Sequence, residues 1–132
     1  MLEDREERRR GRRWIVAGAL CCAGSVVAGA FGAHALAGRL DPRALQLWET
    51  AARYLFYGGA GQLAAGLLAP AAAGRRGADL AGGCLLAGSF LFSGTVGALA
   101  LGGPRWLGAV TPAGGLLLIA GFLLLAWAAR GR

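Results

Sequence analysis

His34 is the single histidine in 132 residues, and a group that titrates near neutral pH is useful for handling protons in a membrane. The structural alternative is that His34 caps a helix or hydrogen-bonds backbone at the end of an apolar run. With no second histidine, one chain cannot supply both axial ligands of a bis-histidine haem. Cys21, Cys22 and Cys84 lack the CxxC spacing of zinc or iron–sulfur sites and read as small packing residues. Ser89, Ser93, Thr95 and Thr111 are hydroxyls without a base partner, and such groups usually bond their own helix backbone or a neighbouring helix. No nucleophile, base and orienting group can be assembled. The expectation is a protein with no catalytic residue, no metal site and no cofactor.

The elements that would position these groups are membrane spans. Hydrophobic residues make up 56% of the chain, too many for the polar surface of an ordinary soluble domain. The charges sit in short clusters separated by runs of about 20 apolar residues, the length of a helix that crosses the hydrocarbon core. All 14 basic residues are arginines, giving a net charge of +7. A nucleic-acid binder would gather that charge on one continuous face, whereas here it lies at the ends of apolar runs. Nucleic acid is not an expected partner.

The chain divides into a basic head at residues 1–13, one transmembrane domain at 14–129 and a tail at 130–132. Span one covers Trp14 to Ala37, too long for a signal-peptide core, and is expected to be retained. Gly24, Ala28 and Gly32 share one of its faces, and small residues at four-residue spacing let membrane helices approach closely. Asp41-Pro42 has the form of an N-cap followed by a first-turn proline, and Glu49 and Arg53 follow one turn apart. Span two covers about Thr50 to Ala69 with Gln62 near its middle, and residues 71–79 are a loop. Span three covers Leu80 to Leu101 and carries Ser93 and Gly97. Thr111-Pro112 repeats the capping pattern and predicts the start of span four, which runs to about Ala129.

Ten arginines fall in the head, the second loop and the tail, against four in the other two connections when Arg53, at the start of span two, is counted with them. With four spans, the positive-inside rule places both termini in the cytoplasm. Trp14 and Trp127 then fall at the inner interface and Trp48 and Trp106 at the outer one, where aromatic belts belong. The fold class is an all-α bundle of four transmembrane helices, a multi-pass protein of the cell (inner) membrane. Gly29, Gly32, Ala33, Ala35 and Leu36 match Gly94, Gly97, Ala98, Ala100 and Leu101 at an offset of 65 residues. That echo reads equally as a duplicated helix pair or as coincidence in so Gly- and Ala-rich a chain.

Four pieces carry a family resemblance: Gly29-Ala-Phe-Gly-Ala-His34, Trp48-Glu-Thr-Ala with Tyr54 soon after, Phe92-Ser-Gly94, and Thr111-Pro-Ala-Gly-Gly115. In this order and spacing, across roughly residues 28 to 127, the sequence resembles the small bacterial membrane-protein family that includes YgdD and YwdK, domain-of-unknown-function family 423, related to mitochondrial transmembrane protein 256. The resemblance implies four transmembrane helices in the cell membrane and supplies no accepted reaction. It marks His34, Glu49, Arg53, Tyr54, Gln62, Ser93 and Thr111 as polar candidates. Gly24, Ala28, Gly29, Gly32, Gly94, Gly97, Pro112, Gly114 and Gly115 are the packing candidates. The family pattern looks like Tyr-x-x-x-His where this chain has Tyr54 and then Gly58, and Gln62 stands one turn on. Gln62 is expected to take over part of the missing histidine's hydrogen bonding.

The favoured function is a non-catalytic bundle that binds lipid or quinone, or packs as an accessory subunit against a larger membrane complex. The alternative is a small transporter or channel, working as a homo-oligomer with a polar seam of His34, Arg53, Tyr54, Gln62, Ser89 and Ser93. A membrane enzyme ranks last.

Overall fold

The computed structural model describes residues 1–69 and 75–130, and every regular element among them is helical. Helix α1 spans Leu2–Phe31 and runs into a π-helical turn at Gly32–Leu36. Helix α2 spans Pro42–Leu68, α3 Arg75–Ala100 and α4 Leu107–Arg130. The basic head is therefore helical and continuous with the first span. At 1.5 Å per residue α1 is about 45 Å long, well beyond the ~30 Å of hydrocarbon.

The local starts and stops have identifiable causes. Asp41 caps α2 by accepting a 2.8 Å bond from the Ala44 amide, with Pro42 in the first turn. Two residues past the end of α3 stands Gly102, whose φ of +94° suits a residue without a Cβ. There the Gly103 amide bonds Ala98 O and the Gly102 amide bonds Leu99 O, the paired closure that satisfies a helix's last carbonyls.

Two expected boundaries move. Thr111-Pro112 does not open α4, which begins one turn earlier at Leu107 and holds Pro112 inside it. The start is set instead by successive tight turns in which the amides of Leu107, Gly108 and Ala109 bond the carbonyls of Pro104, Arg105 and Trp106. The Thr111 hydroxyl donates back to Leu107 O at 2.9 Å rather than capping an amide. The second correction concerns the loop expected at 71–79: its later residues belong to α3, which is helical from Arg75. Residues 71–74 of that expected loop lie outside the described residues.

Each helix packs chiefly against its neighbour in the chain, so α2 and α3 are central and α1 and α4 flank them. Three helices, α1, α3 and α4, are long and apolar enough to cross a membrane. α2 is as long but carries Arg43, Glu49, Arg53 and Gln62, and it lies between α1 and α3. The flanks face outward with Val16, Leu20, Val26 and Val27 on α1 and Leu116, Ile119 and Leu123 on α4. Such an apolar exterior suits lipid.

The contacts between helices are made by absent side chains. A Cβ on Gly18 would lie 2.6 Å from Gly59 O, and one on Gly66 would lie 2.6 Å from Gly11 O. On the other side a Cβ on Gly114 would lie 2.5 Å from the Phe92 amide. Backbones touch at these points.

Candidate functional site

α1 and α3 meet only lightly, and they do so at the arginine-rich end. There Trp14 lies against Gly82, and its indole donates to Asp79 at 3.0 Å. Arg10 reaches the same carboxylate at 3.5 Å. Towards the other end the two helices part, and a groove of about 230 Å³ opens between them over α2. Ala28 of α1 lines one side; Trp48, Ala51, Ala52 and Leu55 of α2 form the base; Ser89, Phe90, Ser93, Gly94 and Gly97 of α3 form the opposite wall.

Trp48 anchors this region. Its indole donates to Ala28 O at 2.8 Å, its ring lies against Gly32, and it reaches Gly97 on α3. Gly32 and Gly97 occupy matching places in the echoed segments, so both halves of that echo converge on one tryptophan. Phe31 adds a tilted aromatic contact, ring centres 6.1 Å apart.

The groove is almost wholly apolar, with two hydroxyls in its wall. Ser89 is fully buried and donates to Leu85 O at 2.6 Å. The Ser93 hydroxyl is shielded and has no hydrogen-bond partner. Buried polar groups normally find one. Of the two hydroxyls in the groove wall, Ser93 is the one left without a partner.

The other candidates lie apart. His34 sits exposed in the π-helical turn, a deformation frequent at functional positions. Glu49 and Arg53 are exposed on α2 and share an open hollow with Arg43 and Gln46, without coming within ion-pair distance of each other. Tyr54 meets Phe92 in a tilted contact with ring centres 4.5 Å apart, and Tyr57 edge-on at 5.2 Å. Gln62 is fully buried, its amide nitrogen donating to Gly58 O at 3.1 Å and to the Cys21 sulfur at 3.6 Å, while its Oε1 has no partner. The Thr111 and Thr95 hydroxyls are 2.7 Å apart across α3 and α4. Among the packing candidates, Gly29 and Gly94 have open space where a Cβ would be, and Gly24 meets Leu55 at an ordinary 3.6 Å.

Gly58 explains how the chain does without a side chain one turn after Tyr54. A Cβ there would overlap the Ser89 hydroxyl and crowd Leu118 at 3.3 Å. The volume is already occupied from α3 and α4.

Sequence reasoning did not single out Ser25, which donates to Ala52 O at 2.8 Å and pins α1 to α2 within the bundle. Nor did it give Trp48 more than an interfacial role. The available signal was that Trp48 stands in the same motif as Glu49 and Tyr54 and carries the largest ring of the three, with an N–H that needs an acceptor when buried.

Comparison with known proteins identifies the family. The model of the family described as "Protein of unknown function (DUF423)" matches residues 28–115. The chain belongs to that family. A UPF0382 membrane protein of Staphylococcus haemolyticus is 44% identical over 112 residues, 85% of this chain and 90% of that protein. One from Staphylococcus epidermidis is 42% identical with the same coverage. The UPF0382 membrane protein YwdK of Bacillus subtilis is 35% identical over 116 residues, 88% of this chain and 94% of its own. No solved structure gives a significant match. The matched segment begins at Ala28 and so includes every residue that lines the groove. This is a multi-pass helical membrane protein of a bacterial family.

Proposed function

We propose that the protein is a non-catalytic membrane component whose groove receives the apolar chain of a membrane lipid or quinone. The observation that carries this reading is a largely apolar groove in the lipid-facing body with one shielded, unpartnered hydroxyl, Ser93, in its wall. A buried hydroxyl without a bond costs about 1–3 kcal/mol, and a ligand carbonyl or ether oxygen at the groove would remove that cost. The volume lies below the roughly 300–1,000 Å³ of sites that enclose a drug-sized molecule. It suits a length of chain with one polar atom near its end.

The test fills the groove without disturbing the bundle. Gly94 has open space at its Cβ position, so Gly94→Leu projects apolar bulk there at little cost to folding. Protein purified gently into nanodiscs is extracted, and retained lipids and quinones are measured by mass spectrometry. Wild type should retain a defined chain-bearing molecule at close to one per protein, and Gly94→Leu should lose it while melting as wild type does. Equal retention by both proteins refutes the reading. A closed homo-oligomer with nothing bound would shift weight to a transporter or channel.

A further inference from the structure

The head of α1 carries its charge asymmetrically. At 100° per residue, Arg5, Arg8, Arg9, Arg12 and Arg13 fall within an arc of about 140°, and all five are exposed. The opposite side of the same helix faces the body. There Gly11 lies against Gly66, Trp14 against Gly82, and Arg10 pairs with Asp79. The outward arginines form no ion pair among the described residues. Glu6 stands at the edge of their arc and shares a surface hollow with Arg9, Arg10 and Arg13.

One turn below Arg12 the same face turns apolar. Val16, Leu20 and Val27 continue the line of Arg9, Arg12 and Arg13 down the helix, with 52%, 68% and 68% of their surface exposed. Trp14 marks the level of the interface between the two zones. A continuous helix face thus presents guanidinium groups at headgroup depth and bare aliphatic side chains at acyl-chain depth. Guanidinium binds phosphate in two-pronged geometry.

We propose that this outward face of α1 is a binding site for an anionic phospholipid, distinct from the groove and independent of it. The phosphate is held by Arg9, Arg12 and Arg13, and the acyl chains lie along Val16 and Leu20. The apolar half of the face selects a lipid over a soluble phosphate. The charge at this end, cytoplasmic by the positive-inside rule, meets the leaflet whose anionic lipids attract juxtamembrane arginines.

The full-length protein in non-ionic detergent is titrated with phosphatidylglycerol, and separately with phosphatidylcholine of the same chains, and bound lipid is counted by native mass spectrometry. Each arginine near an anionic surface contributes about fivefold in affinity. The wild type should therefore prefer phosphatidylglycerol by at least about tenfold, and R9Q/R12Q/R13Q should lose that preference. R76Q/R130Q removes arginines from the ends of α3 and α4, both exposed, and should keep it. A preference that survives R9Q/R12Q/R13Q, or falls as far in R76Q/R130Q, overturns the site, because the attraction would then be diffuse. Binding of glycerol phosphate as tight as that of the lipid removes the role of the apolar half. Tighter binding of a short RNA than of phosphatidylglycerol would reassign the face to nucleic acid.

Discussion

The closest interlock in the bundle is the one between Gly58 and Ser89, and it makes a quantitative prediction. Adding a methyl group at residue 58 should be destabilising even though alanine is the better helix former. The helix term favours Gly58→Ala by about 0.8–1 kcal/mol. Against it, the new Cβ would overlap the Ser89 hydroxyl, approach Ser89 Cβ at 3.0 Å and meet Leu118 at 3.3 Å. Ser89 is fully buried and bonded to Leu85 O, so moving it costs that bond as well as packing. Overpacking of this kind costs about 1–3 kcal/mol, and losing the bond adds about 0.6 kcal/mol at the average measured within a membrane protein. The net expectation for Gly58→Ala is a loss of about 1–2 kcal/mol. Ser89→Gly removes both obstructing atoms, so Gly58→Ala/Ser89→Gly should be more stable than the sum of the single changes, with a coupling of about 1–2 kcal/mol. Reversible unfolding in mixed micelles, followed by circular dichroism, gives the four free energies of the cycle. If Gly58→Ala is neutral, or the double variant merely adds the two single losses, residue 58 has room and the interlock does not exist.

Three further changes test other joints. Gln62→Leu removes two bonds to the amide nitrogen, each about 0.6 kcal/mol in a membrane protein, and relieves the unpartnered Oε1; a fall in stability of at most about 1 kcal/mol is expected, and an unchanged or higher melting temperature in detergent would remove Gln62 as a substitute for the family histidine. Asp79→Ala breaks the Trp14 bond and the partly exposed Arg10 pair. Since such pairs contribute at most about 1 kcal/mol, most of the loss falls on the indole bond: proteolysis of the head should quicken in Asp79→Ala but hardly in Arg10→Gln, and equal effects would contradict that division. Thr111→Val should cost about 0.6 kcal/mol, because the two hydroxyl protons of Thr95 and Thr111 can serve only some of the oxygens around them; a loss above about 2 kcal/mol would mean that the inter-helix bond dominates.

What the residues declared in advance was the part governed by hydrophobicity and local chemistry. Apolar runs between arginine clusters give four helices, and Asp41-Pro42 gives the start of α2, because those signals lie within a few residues of what they control. Thr111-Pro112 carried the same local signal and misled. The turns at Pro104–Trp106 had already started the helix, and a proline near a helix start removes only an early hydrogen bond. The family motif pointed to Gly114 and small-residue spacing to Gly24, Ala28 and Gly32, but neither pointed to the Gly11 and Gly18 contacts with Gly66 and Gly59. In a chain with 24 glycines spacing alone cannot say which glycine meets another backbone. The polar residues were readable as types and not as a constellation. His34, Arg53 and Ser93 each lie near a helix end or face, but which of them share a space depends on the angle at which α1 leaves α3.

That angle follows from two opposite features of the same pair of helices. At the arginine-rich end Gly82 admits the flat face of Trp14, and Asp79 bonds its indole, which draws α1 and α3 together. Towards the other end, Trp48 is wedged from α2 against Gly32 and within reach of Gly97, and its indole bond to Ala28 O holds it there. One tryptophan closes the gap between the helices and the other props it open. The small side chains of Ala28, Ala51 and Ala52 then cannot fill what remains. The groove is thus a consequence of where the sequence places its tryptophans relative to its glycines, and replacing Trp48 should collapse it more completely than replacing any residue of its walls.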